Sequence, residues 1–150
     1  MKKLESILVI LFIAGIILAN FNVPGGATLG FLSALLLLVL YTLFGFAVFN
    51  NIPLTKLFSA QAYNGIPAYR IILAILTGFG IACSVWAILF TIQHWPGAAL
   101  LRFVSISLVV PLTIVSIIFA VCREPVGLRL LLRLLPFFLL AMKWLTRHWL

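Results

Sequence analysis

Few side chains in this 150-residue chain could do acid–base or metal chemistry. They are two acids, Glu5 and Glu124, two histidines, His94 and His148, and two cysteines, Cys83 and Cys122. His94 stands out because it ends an apolar run and precedes Trp95, Pro96 and Gly97. An imidazole there can act as a ligand, a proton acceptor or a quinone contact. It can also be a polar turn residue that bonds to backbone at headgroup level, beside an interfacial tryptophan. The second role asks less of the surroundings and is the one expected. Paired carboxylates, metal-ligand spacings of Cys and His, and glycine-rich phosphate loops are all missing from the sequence. No catalytic residue, metal ligand or cofactor is therefore expected, and the chain reads as a non-enzyme.

The placement of the acids matters as much as their number. Neither stands in the middle of a long apolar run, nor does any lysine or histidine. Ion pumps and proton-coupled transporters keep such a group inside the membrane, where it binds and releases charge. Proton translocation by this chain alone is not expected. Glu124 reads as a solvated partner of its neighbour Arg123. Cys83 lies inside one apolar run and Cys122 closes another, so helical rise puts them at different depths, beyond disulfide reach. Both read as small buried hydrophobes.

The elements that carry these residues follow from composition. Hydrophobic residues make up 65% of the chain and charged ones 8%, about a third of the usual soluble share. Such a chain cannot build a polar exterior, and its length leaves no room for a soluble catalytic domain. We read one α-helical membrane domain. Four apolar runs, about 6–21, 30–49, 71–92 and 101–122, can each cross a hydrocarbon core of ~30 Å as a helix. The first run is short and borrows its flanks. Gly78, Gly80, Ala82 and Ser84 would let a neighbouring helix approach closely, and Pro111 is tolerated in a membrane helix, which it should bend. Lys2 and Lys3 ahead of the first run imitate a secretory signal. However, Ile17 occupies the place where cleavage after Ala19 wants a small residue, so a retained helix is expected.

The positive charges orient the chain. Nine of the ten lie on one side: Lys2, Lys3, Lys56, Arg70, Arg123, Arg129, Arg133, Lys143 and Arg147. Only Arg102 falls in the other connections. The positive-inside rule then places both termini in the cytoplasm, with the chain threaded through a bacterial inner membrane. The net charge of +8 is scattered between apolar runs rather than gathered on one face. Anionic lipid headgroups are the expected partner, and nucleic acid is not.

Sliding the sequence by 72 residues lays Val23-Pro24-Gly25-Gly26 on Trp95-Pro96-Gly97-Ala98, Ser33 on Ser105 and Pro53 on Pro125. Two proline matches in one register suggest two similar units, 1–72 and 73–150. Each would be a helix, a tight Pro-Gly turn, a returning helix and a proline opening a cytoplasmic segment. Pro24 and Pro96 fix φ for a β-turn, and Gly25 and Gly97 accept the positive φ that follows. Each unit is thus expected to be an antiparallel hairpin.

The tail, about 127–149, carries Arg129, Arg133, Lys143 and Arg147 on one helical stripe, with apolar residues around it. This is the pattern of a helix lying in the headgroup plane, its four basic residues on anionic lipid. A fifth crossing is the rival, but its uncharged core, 134–142, is only nine residues long.

The stretch Phe90-Thr91-Ile92-Gln93-His94-Trp95-Pro96-Gly97-Ala98, followed by a span and then Glu124-Pro125, carries a resemblance. It resembles the two-helix membrane hairpin of the L subunit of the gliding-motility/type IX secretion motor of Bacteroidota and related small membrane proteins. The resemblance covers about 90–125. It implies a small envelope protein in which His94, Trp95, Pro96 and Gly97 form a turn. It does not carry over the proton-motive role, because positions 101–121 hold no acid. The function expected is a non-enzymatic accessory or structural component of an envelope complex, with a membrane-protein partner or a second copy of itself. The alternative is a small transporter or lipid-handling protein that uses a cleft between the hairpins. A redox enzyme using His94 is a third, weaker option.

Overall fold

The computed structural model describes residues 2–50, 52–57, 59–122 and 125–149. It is all α-helical: α1 is Lys2–Asn20, α2 Gly26–Phe49, α3 Ala68–Ile92, α4 Ala98–Val121 and α5 Pro125–Trp149, with two short 3₁₀ turns between α2 and α3. The first four helices are long and apolar enough to cross a membrane. The protein is a multi-pass α-helical membrane protein.

The 72-residue offset relates backbone as well as sequence. Both α2 and α4 have 24 residues, and their first and last residues differ by 72. Gly25 and Gly97 precede them with φ of 87° and 89°. Asn22 and His94 stand three residues earlier in each unit, with φ of 55° and 54°. The Val23 amide donates to the Leu18 carbonyl at 2.9 Å, and the Trp95 amide to that of Phe90 at 3.0 Å. Each hairpin therefore reverses through one left-handed polar residue and one left-handed glycine. Asparagine and histidine are among the few side chains that tolerate this conformation.

Close helix crossings fix the bundle. A Cβ on Gly15 would lie 2.6 Å from the Gly30 Cα, so α1 and α2 meet backbone to backbone. At the α2–α3 crossing a Cβ on Gly45 would lie 3.1 Å from the Gly78 Cα. Gly80 instead faces side chains of α4, with Leu112 Cδ1 at 3.3 Å. Ser84 and Ser105 share a buried hydrogen bond of 2.6 Å between α3 and α4. Leu37, Ile81, Leu89 and Val109 fill the centre, each at 2% exposure or less.

The tail departs from the expectation in what it packs on. It is an amphipathic helix, but it does not leave the bundle for the headgroup plane over its first half. It folds back along α4, with Gly127 pressed on the backbone of Phe119 and Ala120. Leu130 and Leu134 are completely buried in the main core, and Phe137 and Phe138 pack against it. The leucines that a headgroup-plane helix would give to lipid are given to protein. The helix continues unbroken through Pro136, as α4 does through Pro111.

Candidate functional site: a charged seam beside an apolar cavity

Glu5 lies one turn into α1 and is the acid around which the site is built. At ~1.5 Å per residue it stands roughly 22 Å from the Asn20 end of its helix, less than the thickness of a hydrocarbon core. Its side chain is only 11% exposed. A carboxylate so placed needs partners, because the desolvation penalty of an isolated charge is several kcal/mol. It has two. The Tyr41 hydroxyl of α2 donates to Oε1 at 2.8 Å, and Arg133 Nη2 of α5 donates to Oε2 at 2.8 Å.

Arg133 is held by more than its charge. Its guanidinium carbon lies 4.9 Å above the centroid of the Phe49 ring, a cation–π contact. Phe49 in turn stacks on Tyr41, with centroids 6.3 Å apart and planes 19° from parallel. Three helices thus converge on one carboxylate: α1 brings Glu5, α2 brings Tyr41 and Phe49, and α5 brings Arg133.

Beside this cluster lies a partly open cavity of about 430 Å³ lined by α1, α2, α3 and α5. Its size falls within the range of about 300–1,000 Å³ that ligand pockets occupy. Phe12 and Ile16 form one wall, Leu37 another, Val85 and Ile88 a third, and Phe137 a fourth. The polar atoms at its margin belong to the Glu5–Tyr41–Arg133 cluster. A groove of about 410 Å³ lies on the outer side, lined by Glu5, Ser6, Val9, Ile10 and Arg133. Glu5, Val9 and Arg133 line both spaces, so the ion pair and one valine form the partition between them.

The residues singled out in the sequence are scattered relative to this site. Pro24, Gly25, Pro96 and Gly97 form the two hairpin turns, and His94 and Trp95 belong to the second. His94 is exposed, and its amide donates to the Thr91 carbonyl at 3.4 Å. Trp95 sits edge-on to Phe90 and Phe31, which also meet Trp86 in an aromatic cluster beneath the turn. Of the four basic residues assigned to headgroups, Arg129 and Lys143 are exposed. Arg133 is turned toward Glu5, so a carboxylate of the bundle is its partner here, while a quarter of its side chain stays exposed. The Arg147 side chain lies outside the described residues, and so do Arg123 and Glu124 and their pairing. Cys83 is half-buried and Cys122 exposed, both free thiols.

Sequence reasoning passed over Glu5 because it sat just outside the first apolar run and counted as a boundary charge. The available signal was Tyr41, a phenol in mid-span that needs a partner for its hydroxyl when buried. Among the described residues no three His, Cys, Asp or Glu side chains come together as a metal site. No protein-family model, curated protein or solved structure matches the chain.

Proposed function

We propose that this chain is a non-enzymatic protein of the bacterial inner membrane that holds a lipid chain inside its bundle. The observation that carries this reading is the 430 Å³ cavity, walled by apolar side chains and polar only at the Glu5–Tyr41–Arg133 margin. A cavity for a hydrophilic solute would need polar walls to replace lost water, because each unsatisfied polar group costs several kcal/mol in hydrocarbon. An acyl chain needs none. Native mass spectrometry of the detergent-extracted protein tests this. One lipid should survive delipidation in the wild type and be lost in Ile88→Trp, which fills the space. Lipid-free wild-type spectra, or equal occupancy in the variant, would overturn the reading.

We infer the orientation from the charge bias, and the side on which α5 ends from its packing along α4. The N-terminus and the connection between α2 and α3 are cytoplasmic, and the two Pro-Gly turns face the periplasm. With α5 antiparallel to α4 and 25 residues long, its far end reaches the periplasmic side. The C-terminus is then outside rather than in the cytoplasm, as a headgroup-plane helix would have it. The charge bias survives this change: seven basic residues remain on the inner side against Arg102, Lys143 and Arg147. The objection to a fifth crossing was its short uncharged core, and pairing with Glu5 neutralises Arg133.

A second reading is an accessory subunit of an envelope complex, supported by the resemblance across 90–125 and by one face of α1. There Ile7, Ile10, Ile13 and Ile17 are each about half exposed or more, on a helix that packs mainly on α2. A photo-crosslinker at Ile10 in native membranes should yield a discrete protein adduct under this reading, and lipid adducts alone would count against it.

A further inference from the structure

We infer that the cavity's occupant is an anionic amphiphile that enters sideways from the bilayer and docks its head on Arg133. This deepens the lipid-holding reading and rests on it. Three observations carry it.

The first is the partition. The outer groove and the inner cavity are separated by Glu5, Val9 and Arg133 alone among the residues common to both. The outer groove adds Ile10, which is 65% exposed on the outer side of α1. α1 packs on α2 rather than along α5, so a chain lying against that face reaches the partly open cavity past the Glu5–Arg133 pair, with no passage through water. The pair bridges α1 and α5 across that opening.

The second is the chemistry of the head site. Each carboxylate oxygen of Glu5 already accepts one hydrogen bond, from Tyr41 and from Arg133. With Glu5 only 11% exposed, little of its remaining acceptor capacity faces a cationic or hydroxylic head. Arg133 is less committed: a guanidinium has five N–H donors in a planar fork, and its side chain is 25% exposed. Acceptor atoms in a phosphate or carboxylate match that fork in charge and geometry.

The third is local charge. Arg129 lies one turn before Arg133 on the same side of α5 and is exposed. With Glu5 and Arg133 cancelling, Arg129 leaves the seam positive. Basic pockets between helices at the cytoplasmic side are where anionic headgroups dock. The head therefore replaces Glu5 on Arg133, or joins it there, while the chain occupies the space beneath Phe12 and Phe137.

The test uses the full-length protein in nanodiscs with two photoactivatable phospholipids. Both carry the same diazirine acyl chain, one on phosphatidylglycerol and one on phosphatidylcholine. Labelled peptides are mapped by mass spectrometry. Wild type should label on α1 and α5 around Phe12 and Phe137, with the glycerol lipid favoured by about tenfold, as a charge-assisted contact to Arg allows. Glu5→Gln frees Arg133 and should raise that preference. A merely structural pair would lower labelling by both lipids together. Arg133→Gln combined with Glu5→Gln, which leaves no stranded charge, should abolish the preference while chain labelling persists. Equal labelling by the two lipids in wild type overturns the head assignment and leaves the lipid-holding reading intact. Absence of cavity labelling by either lipid overturns both.

Discussion

Arg133→Met separates a docked fifth helix from a loosely attached one. Methionine keeps the stem and the apolar contact with Phe49 but removes the charge and the 2.8 Å bond to Glu5. Glu5 would remain nearly buried with only Tyr41 as partner. Removing one member of a buried pair costs about 3–5 kcal/mol, and the quarter exposure of Arg133 argues for about 3. Glu5→Gln should cost somewhat less, since the guanidinium can still reach the groove and donate to an amide oxygen. The double variant leaves no lone charge and should lie within about 1 kcal/mol of wild type. The coupling energy is then about 2 kcal/mol or more, well above the ~0.6 typical of hydrogen bonds between membrane helices. Unfolding in mixed micelles, followed by tryptophan fluorescence, measures all four corners of the cycle. Trp86 lies in the bundle beside Phe31 and Phe90 and reports its integrity. If the two single changes add within about 0.5 kcal/mol, the residues are not in contact. The Glu5–Arg133 contact and the partition built on it would then be refuted, while Leu130 and Leu134 would still hold α5 on the bundle.

Other expectations follow from the crossings, the turn and the threading. Gly78→Ala drives a methyl into the Tyr41 carbonyl and to 3.2 Å from the Gly45 Cα, both backbone. It should cost about 2–3 kcal/mol, whereas Gly80→Ala, facing the flexible tip of Leu112, should cost under about 1; equal losses in micelle unfolding would contradict the crossing. At His94 the left-handed backbone, not the imidazole, sets the requirement. His94→Asn should be neutral within about 0.5 kcal/mol and His94→Val should cost about 1–2, with lipid occupancy unchanged in both; lost occupancy in the asparagine variant would give the ring a function. A cysteine at Ala98 should react with an impermeant reagent from outside, and a periplasm-dependent reporter after Leu150 should be active. A reporter active only in the cytoplasm would return α5 to the inner surface.

The four crossings and two turns were legible because their signals are local. Twenty apolar residues make a span wherever they occur, and Pro-Gly makes a reversal. The left-handed residue four places before each returning helix was half legible, since the 72-residue register lays Asn22 on His94 and asparagine favours that conformation. The site was not legible, for a physical reason. Glu5 and Arg133 are 128 residues apart, and each looks like a boundary charge until the other is placed beside it. The packing of α5 on the bundle was hidden for the same reason. Arg133 counted as a charge to be kept in water, and a charge with a buried partner does not have to be.

The two hairpins share a backbone but not a site, and the difference shows why the site exists. Shifted by 72, Glu5 falls on Thr77 and Tyr41 on Thr113. Thr113 bonds the Val109 carbonyl of its own helix at 2.7 Å, and the buried Thr77 hydroxyl has no partner among the described residues. The second hairpin thus places neutral hydroxyls where the first places an acid and its phenol. What differs is the segment that follows each hairpin. Around Pro53 the chain makes short turns that pack Ile52 and Leu57 on Ala47, whereas from Pro125 it continues as α5. Arg133, shifted back, falls on Gln61, exposed in that connection. A carboxylate can stay charged inside an apolar bundle only where a cation can reach it. Only the second tail delivers one, and it delivers it to the first hairpin. Acid, cation and cavity therefore arise together where the two hairpins differ, and losing α5 should leave the first hairpin with a charge it cannot keep.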